Sequence, residues 1–206
     1  MVRRGVIAVI VVALGAALTI AVAGVGEGGR SISEADRSFV VVLARHVRHE
    51  AALAGAAAAR ATDPSGRDLA ADVTRRASSR ADALDGVLRD WRVTDDAAAG
   101  LFAVATADIP VIKGVPVFAC SLQHRPVDDL GQIDAAAPSA VSARWAQLAM
   151  TSAIEGLNLS KTADGLLGAA REIAAANDRW HRDVLAGLAP LLPETDRAMV
   201  RRAQQP

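Results

Sequence analysis

Apolar residues recur at intervals of three and then four along four stretches of the chain, the spacing by which a bundle helix faces its neighbours. In the first stretch the stripe is Phe39, Val42, His46, His49, Leu53 and Ala56, and in the second Ala70, Val73, Ala77, Arg80, Leu84, Val87 and Trp91. The third stretch carries Trp145, Leu148, Ser152, Glu155 and Leu159, and the fourth Ala170, Ile173, Asn177, Trp180 and Val184. Ser33, followed three residues on by Asp36, predicts the start of a helix that runs to about Arg60. Thr62-Asp-Pro-Ser-Gly66 breaks it, and a second helix follows from Arg67 to Trp91. Pro138 and Ser139 open a third helix that ends near Ser160, while Thr162-Ala-Asp164 caps a fourth that ends near Gly187. The expectation is an all-α chain whose two helical hairpins, 33–92 and 138–188, form a four-helix bundle.

The remaining segments break this pattern. Residues 1–26 contain an uncharged apolar run from Gly5 to Gly26 behind Arg3 and Arg4, long enough to span a bilayer as a helix. Two readings stay open. In one it is a transmembrane anchor with the arginines in the cytoplasm; in the other it is a signal segment cleaved after Ala21-Val22-Ala23. Both place the following domain outside the cytoplasm, through a tether at 27–32. Residues 93–137, with IPVIKGVPVFAC at their centre, read as a long irregular crossover between the hairpins. The tail, 189–206, is expected to hold a short solvated helix bearing Arg197, Arg201 and Arg202.

Polar side chains interrupt every stripe at the same height. Together His46, His49, Arg80, Ser152, Glu155 and Asn177 are expected to form a polar layer inside the bundle, with Glu50 beside it. In such bundles carboxylates and histidines three apart on a helix build metal sites, and His46, His49 and Glu50 are the candidate ligands. A permanently charged guanidinium at Arg80 opposes a cation there, so a buried ion pair of Arg80 with Glu155 or Glu50 is the competing reading. The two hairpins also align with each other. A shift of 106 positions lays Phe39 on Trp145, His46 on Ser152 and Leu53 on Leu159; a shift of 100 lays Ala70 on Ala170, Val73 on Ile173 and Leu84 on Val184.

Composition narrows the function classes. The chain has 23 basic and 23 acidic residues, a balance that offers nucleic acid no global field. A single cysteine, Cys120, excludes an internal disulfide and a multi-thiolate zinc site. Cys120 and His124 have the spacing of two ligands, yet a free thiol is the simpler account. His181 reads as a satisfied or surface histidine, Asp82, Asp85 and Asp90 as a solvated helix face, and Trp91, Trp145 and Trp180 as core. The sequence carries no nucleophile elbow, phosphate-cradling glycine loop or helical HExxH.

In register, Asp36, Phe39, Leu43, Ala44, His46, Leu53 and Ala54, then Ala70, Val73, Ala81 and Leu84, follow an apolar and histidine pattern found twice in many exported chains. By these residues the sequence resembles the ferritin-like family catalogued as domain of unknown function 305, over 36–91 and again over 130–188. A second, degenerate copy keeps Trp145, Met150, Leu157, Leu159, Ala170, Ile173, Asn177 and Val184. The family's paired histidines stand here as His46-Val47 and Ser152-Ala153, and its glutamine and glutamate as Ala77 and Arg80, then Asn177 and Trp180. The resemblance implies a ferritin-like bundle and names copper as the metal in question. The resulting expectation is an exported, membrane-tethered, non-catalytic structural or interaction module with a degenerate metal site, no resident cofactor and an unidentified protein partner. The alternative is an extracytoplasmic metal-binding protein, for copper, that uses the remaining histidines with Glu50.

Overall fold

The computed structural model describes residues 32–99, 126–161, 165–166 and 168–205, with two-residue strands at 111–112 and 115–116. The apolar run at 1–26, the tether up to residue 31, Cys120, His124 and the expected cap at 162–164 lie outside the described residues. Among the described residues no helix is long and apolar enough to cross a membrane.

Helix α1 spans Glu34–Arg60 and begins as its sequence predicts. The Ser33 hydroxyl accepts the Asp36 N–H at 3.0 Å, and the Asp36 carboxylate accepts the Ser33 N–H at 3.0 Å, a capping box that satisfies two end donors at once. Helix α2 spans Pro64–Asp90 and begins earlier than the Arg67 expected, because Asp63 caps it by accepting the Gly66 N–H at 2.6 Å. Pro64 fits the first turn, where its missing N–H costs nothing. Arg92, in a left-handed conformation with φ 54°, turns the chain away after α2.

The crossover is more regular than expected. Residues 95–99 are helical, strands β1 (Val111–Ile112) and β2 (Val115–Pro116) pair antiparallel, and Pro126–Ala135 forms helix α3 against α1. Ile133 is its buried anchor. At its C-terminal end, where carbonyls lack helical partners, Arg60 donates to the carbonyls of Ile133 and Ala136. The glycine and prolines of this segment concealed a helix whose stability rests on α1 rather than on its own ten residues.

A 3₁₀ turn at Pro138–Ala140 leads into helix α4, Val141–Lys161, and α5 follows over Gly168–Leu188. Helix α5 begins at Gly168, whose φ of 53°, like the 103° of Gly165, lies in the region that favours glycine. Pairing is closest between α1 and α2 and between α4 and α5, and the hairpins meet chiefly through α1 and α4. Their shared core joins Phe39, Leu43, Leu53, Leu84, Trp145, Leu157, Ile173, Leu185 and Leu188. Small residues such as Ala54, Ala70, Ala77, Ala146 and Ala153 are buried between the helices and let their backbones approach.

Helix α6, Glu194–Ala203, follows the turn Ala189–Leu191. It is not a free solvated tail. Val200 is buried, Gln147 donates to Asp196 at 3.3 Å, and Arg182 donates to the Gln204 carbonyl at 2.6 Å, so one face of α6 is tied to α4 and α5.

Candidate functional site: a buried histidine and carboxylate cluster

Helical periodicity places His46 and Glu50, four residues apart, on the inner face of α1. The polar layer assembles around them, but Glu50 is its centre rather than its neighbour. Its Oε1 lies 3.0 Å from His181 Nε2 and 3.5 Å from His46 Nε2, and it accepts the Ser152 hydroxyl at 3.5 Å. Its Oε2 accepts the Trp180 indole N–H at 3.2 Å. One carboxylate, 6% exposed, thus gathers groups from α1, α4 and α5.

Asn177, one turn before His181, ties α5 to α4. Asn177 donates from Nδ2 to the Gly156 carbonyl and to the Ser160 hydroxyl, each at 2.9 Å. His181 Nδ1 stands 2.8 Å from the Asn177 carbonyl, which can only accept, so Nδ1 carries the hydrogen and Nε2 faces Glu50. Gly156 makes room for that ring: a Cβ added there would lie 2.6 Å from His181 Cδ2 and closer still to Cε1 and Nε2.

His49 departs from its expected role. It turns from the cluster to Asp129 of α3, with Nε2 at 3.2 Å from the carboxylate, so it docks the crossover helix instead of joining His46 and Glu50. Arg80 also departs from expectation. It donates to Asn177 Oδ1 at 3.0 Å and lies 4.9 Å from the Trp180 ring centre, which Arg76 also covers at 4.7 Å. Only partly exposed, Arg80 leaves its Nη1 without a hydrogen-bond partner, and burial followed by repulsion from Arg76 pushes its pKa down to about 10. Ser152 and Glu155 are buried at the expected height.

Charges inside the cluster are strongly coupled. Burial opposes ionisation of Glu50, yet His181 and His46 hold its carboxyl well below the ordinary range. For His46 burial is again the largest influence, but attraction to Glu50 and Glu155 overcomes it and raises the imidazole. His181 goes the other way, because burial, reinforced by His46 and Arg80, outweighs Glu50. Burial likewise outweighs Asp129 and lowers His49. The arrangement suits an ionised Glu50 sharing one positive charge with the facing imidazoles.

Sequence reasoning missed three members. His181 is fully buried; its signal was the four-residue step from Asn177, which puts positions 177 and 181 on one face. Trp180 was read as core without its indole N–H finding a partner, and Asp129 lay in a segment taken as irregular. As ligands, His46, Glu50 and His181 bring one donor atom each to within 4.8 Å of one another. Two imidazoles and a carboxylate fit copper in its divalent state, whereas the soft monovalent state favours sulfur, and His46, Glu50 and His181 offer only nitrogen and oxygen. A surface groove lined by Gln132, Ala136, Ala143, Arg144 and Gln147 holds none of these residues.

No family model and no curated protein matches the chain. Among solved structures, a domain of unknown function 305 protein from Streptomyces coelicolor matches with a TM-score of 0.58 at 14% identity, covering 79% of this chain and 93% of that one. The helical fold of this chain is therefore similar to that of a domain of unknown function 305 protein, and its own core holds a cluster of two histidines and a glutamate.

Proposed function

We propose that this chain is an exported, membrane-tethered, ferritin-like module that serves a structural or interaction role and catalyses no reaction. The observation that carries this reading is the use made of Glu50. Its carboxylate is occupied by groups from two other helices, inside a core where a fixed network favours one packing over alternatives. A reactive carboxylate needs a substrate within reach, and this one is committed to its neighbours. Two degenerate hairpin copies are supported by matched burial: Phe39 and Trp145, His46 and Ser152, Ala77 and Asn177 are all buried at equivalent positions.

Export and tethering rest on Arg3, Arg4 and the apolar run to Gly26. Alkaline phosphatase fused after Pro206 tests them in a bacterial host. Activity in the membrane fraction, lost when residues 2–30 are removed, is the expected result. Activity in the medium instead selects the cleaved signal, and an inactive fusion to the intact chain refutes export.

A further inference from the structure

We propose that His46, Glu50 and His181 bind one divalent transition-metal ion of the zinc and copper(II) class, which cross-links α1 to α5. Three observations converge. First, His46 is 1% exposed, and neither of its ring nitrogens has a hydrogen-bond partner. A buried nitrogen without a partner is uncommon and unfavourable, and here one of the two lies 3.5 Å from Glu50 Oε1.

Second, the tautomer of His181 is fixed by its surroundings. The Asn177 carbonyl takes the Nδ1 hydrogen, which leaves Nε2 as the nitrogen that faces the Glu50 carboxylate at 3.0 Å. Between a ring nitrogen and a carboxylate at that distance there is room for one cation, a proton in the metal-free chain or a metal ion in its place. A backbone carbonyl holding Nδ1–H is also the arrangement by which proteins aim the other nitrogen of a histidine at a metal.

Third, the spacing already matches. Metal bonds of about 2.0–2.1 Å in tetrahedral geometry separate ligand atoms by roughly 3.3 Å. The two histidine nitrogens lie 3.0 and 3.5 Å from Glu50 Oε1, and the ring centres are 5.4 Å apart with planes at 54°. Small rotations would bring the three atoms around one centre. Two nitrogens and one oxygen select Zn²⁺ or Cu²⁺ over Mg²⁺ and Ca²⁺, which prefer all-oxygen shells. Arg80, the cation that opposes a metal in this layer, is held by Asn177 and the face of Trp180, and Glu50 with Glu155 supplies two buried carboxylates against it.

The test uses the full chain in detergent micelles, freed of metal by chelator, equilibrated with one cation at a time and desalted before elemental analysis. One Zn²⁺ or Cu²⁺ per chain is expected, with no retained Mg²⁺ or Ca²⁺. The Cu²⁺ sample should show an electron paramagnetic resonance spectrum split by two imidazole nitrogens, a readout that depends on no variant. His181→Gln should lower Zn²⁺ affinity at least tenfold, and His49→Gln should leave it unchanged. Less than one-tenth of an equivalent retained, a copper spectrum without nitrogen ligation, or binding lost in His49→Gln but kept in His181→Gln would overturn the assignment.

Discussion

Replacing Gly156 with alanine sets two effects of opposite sign against each other. Gly156 lies inside α4, where alanine is favoured by helix propensity by roughly 1 kcal/mol. The added Cβ, however, would fall 2.6 Å from His181 Cδ2 and nearer to two other ring atoms, and the ring is fully buried. Moving it sacrifices the 3.0 Å contact with Glu50 and the 2.8 Å bond to the Asn177 carbonyl. A hydrogen bond to a charged group contributes about 1.5–3 kcal/mol and a neutral one about 1 kcal/mol. Overpacking a filled core costs about 1–3 kcal/mol more. The net expectation is a loss of roughly 3–5 kcal/mol, a drop in melting temperature of about 10 °C. Urea unfolding followed by tryptophan fluorescence reads it directly, because Trp145 and Trp180 are buried. A Gly156→Ala chain as stable as the parent, or more so, would mean that His181 does not occupy this place.

Arg80→Ala should cost about 1–2 kcal/mol, the sum of one hydrogen bond to Asn177 and a cation–π contact with Trp180, rather than the larger penalty of a broken buried ion pair. Chemical denaturation distinguishes these, and a loss above about 3 kcal/mol would restore the ion-pair reading. Asp129→Ala should release α3 locally, with amide exchange at 126–135 about tenfold faster and α2 unchanged; uniform destabilisation would contradict a local latch. NMR titration should place the His46 imidazole above the ordinary 6.5 and those of His49 and His181 below it. The depressed pair then contributes stability that is present above pH 6.5 and lost as pH falls through their folded values. His46 contributes stability that is present below 6.5 and lost as pH rises through its folded value. The reverse order of the three titrations would refute the charge assignment.

Helix positions were legible because burial follows period: the stripes through Phe39, Val73, Trp145 and Ile173 all enter the core. Ser33 and Asp36 also declared the start of α1 in sequence, since a capping box is a local device. Helix α3 was not legible, because its pairing partners, Arg60 and His49, are distant in sequence and only the fold brings them to it. The site divides in the same way. Periodicity turned His46, Ser152, Glu155 and Asn177 inward correctly, but it describes one helix at a time. It could not show that His49 points toward a helix from the crossover, or that a width of face sufficient for both Trp180 and His181 lets α5 deliver two groups to Glu50.

Glu50 and His181 are directly coupled across the core. A double-mutant cycle with Glu50→Gln, His181→Gln and the combined variant, measured by urea unfolding with chelator present, tests it most directly. The distance of 3.0 Å and full burial of His181 predict a coupling of about 1.5–3 kcal/mol between the two positions. Losses that add to within about 0.5 kcal/mol would show that the two side chains do not meet.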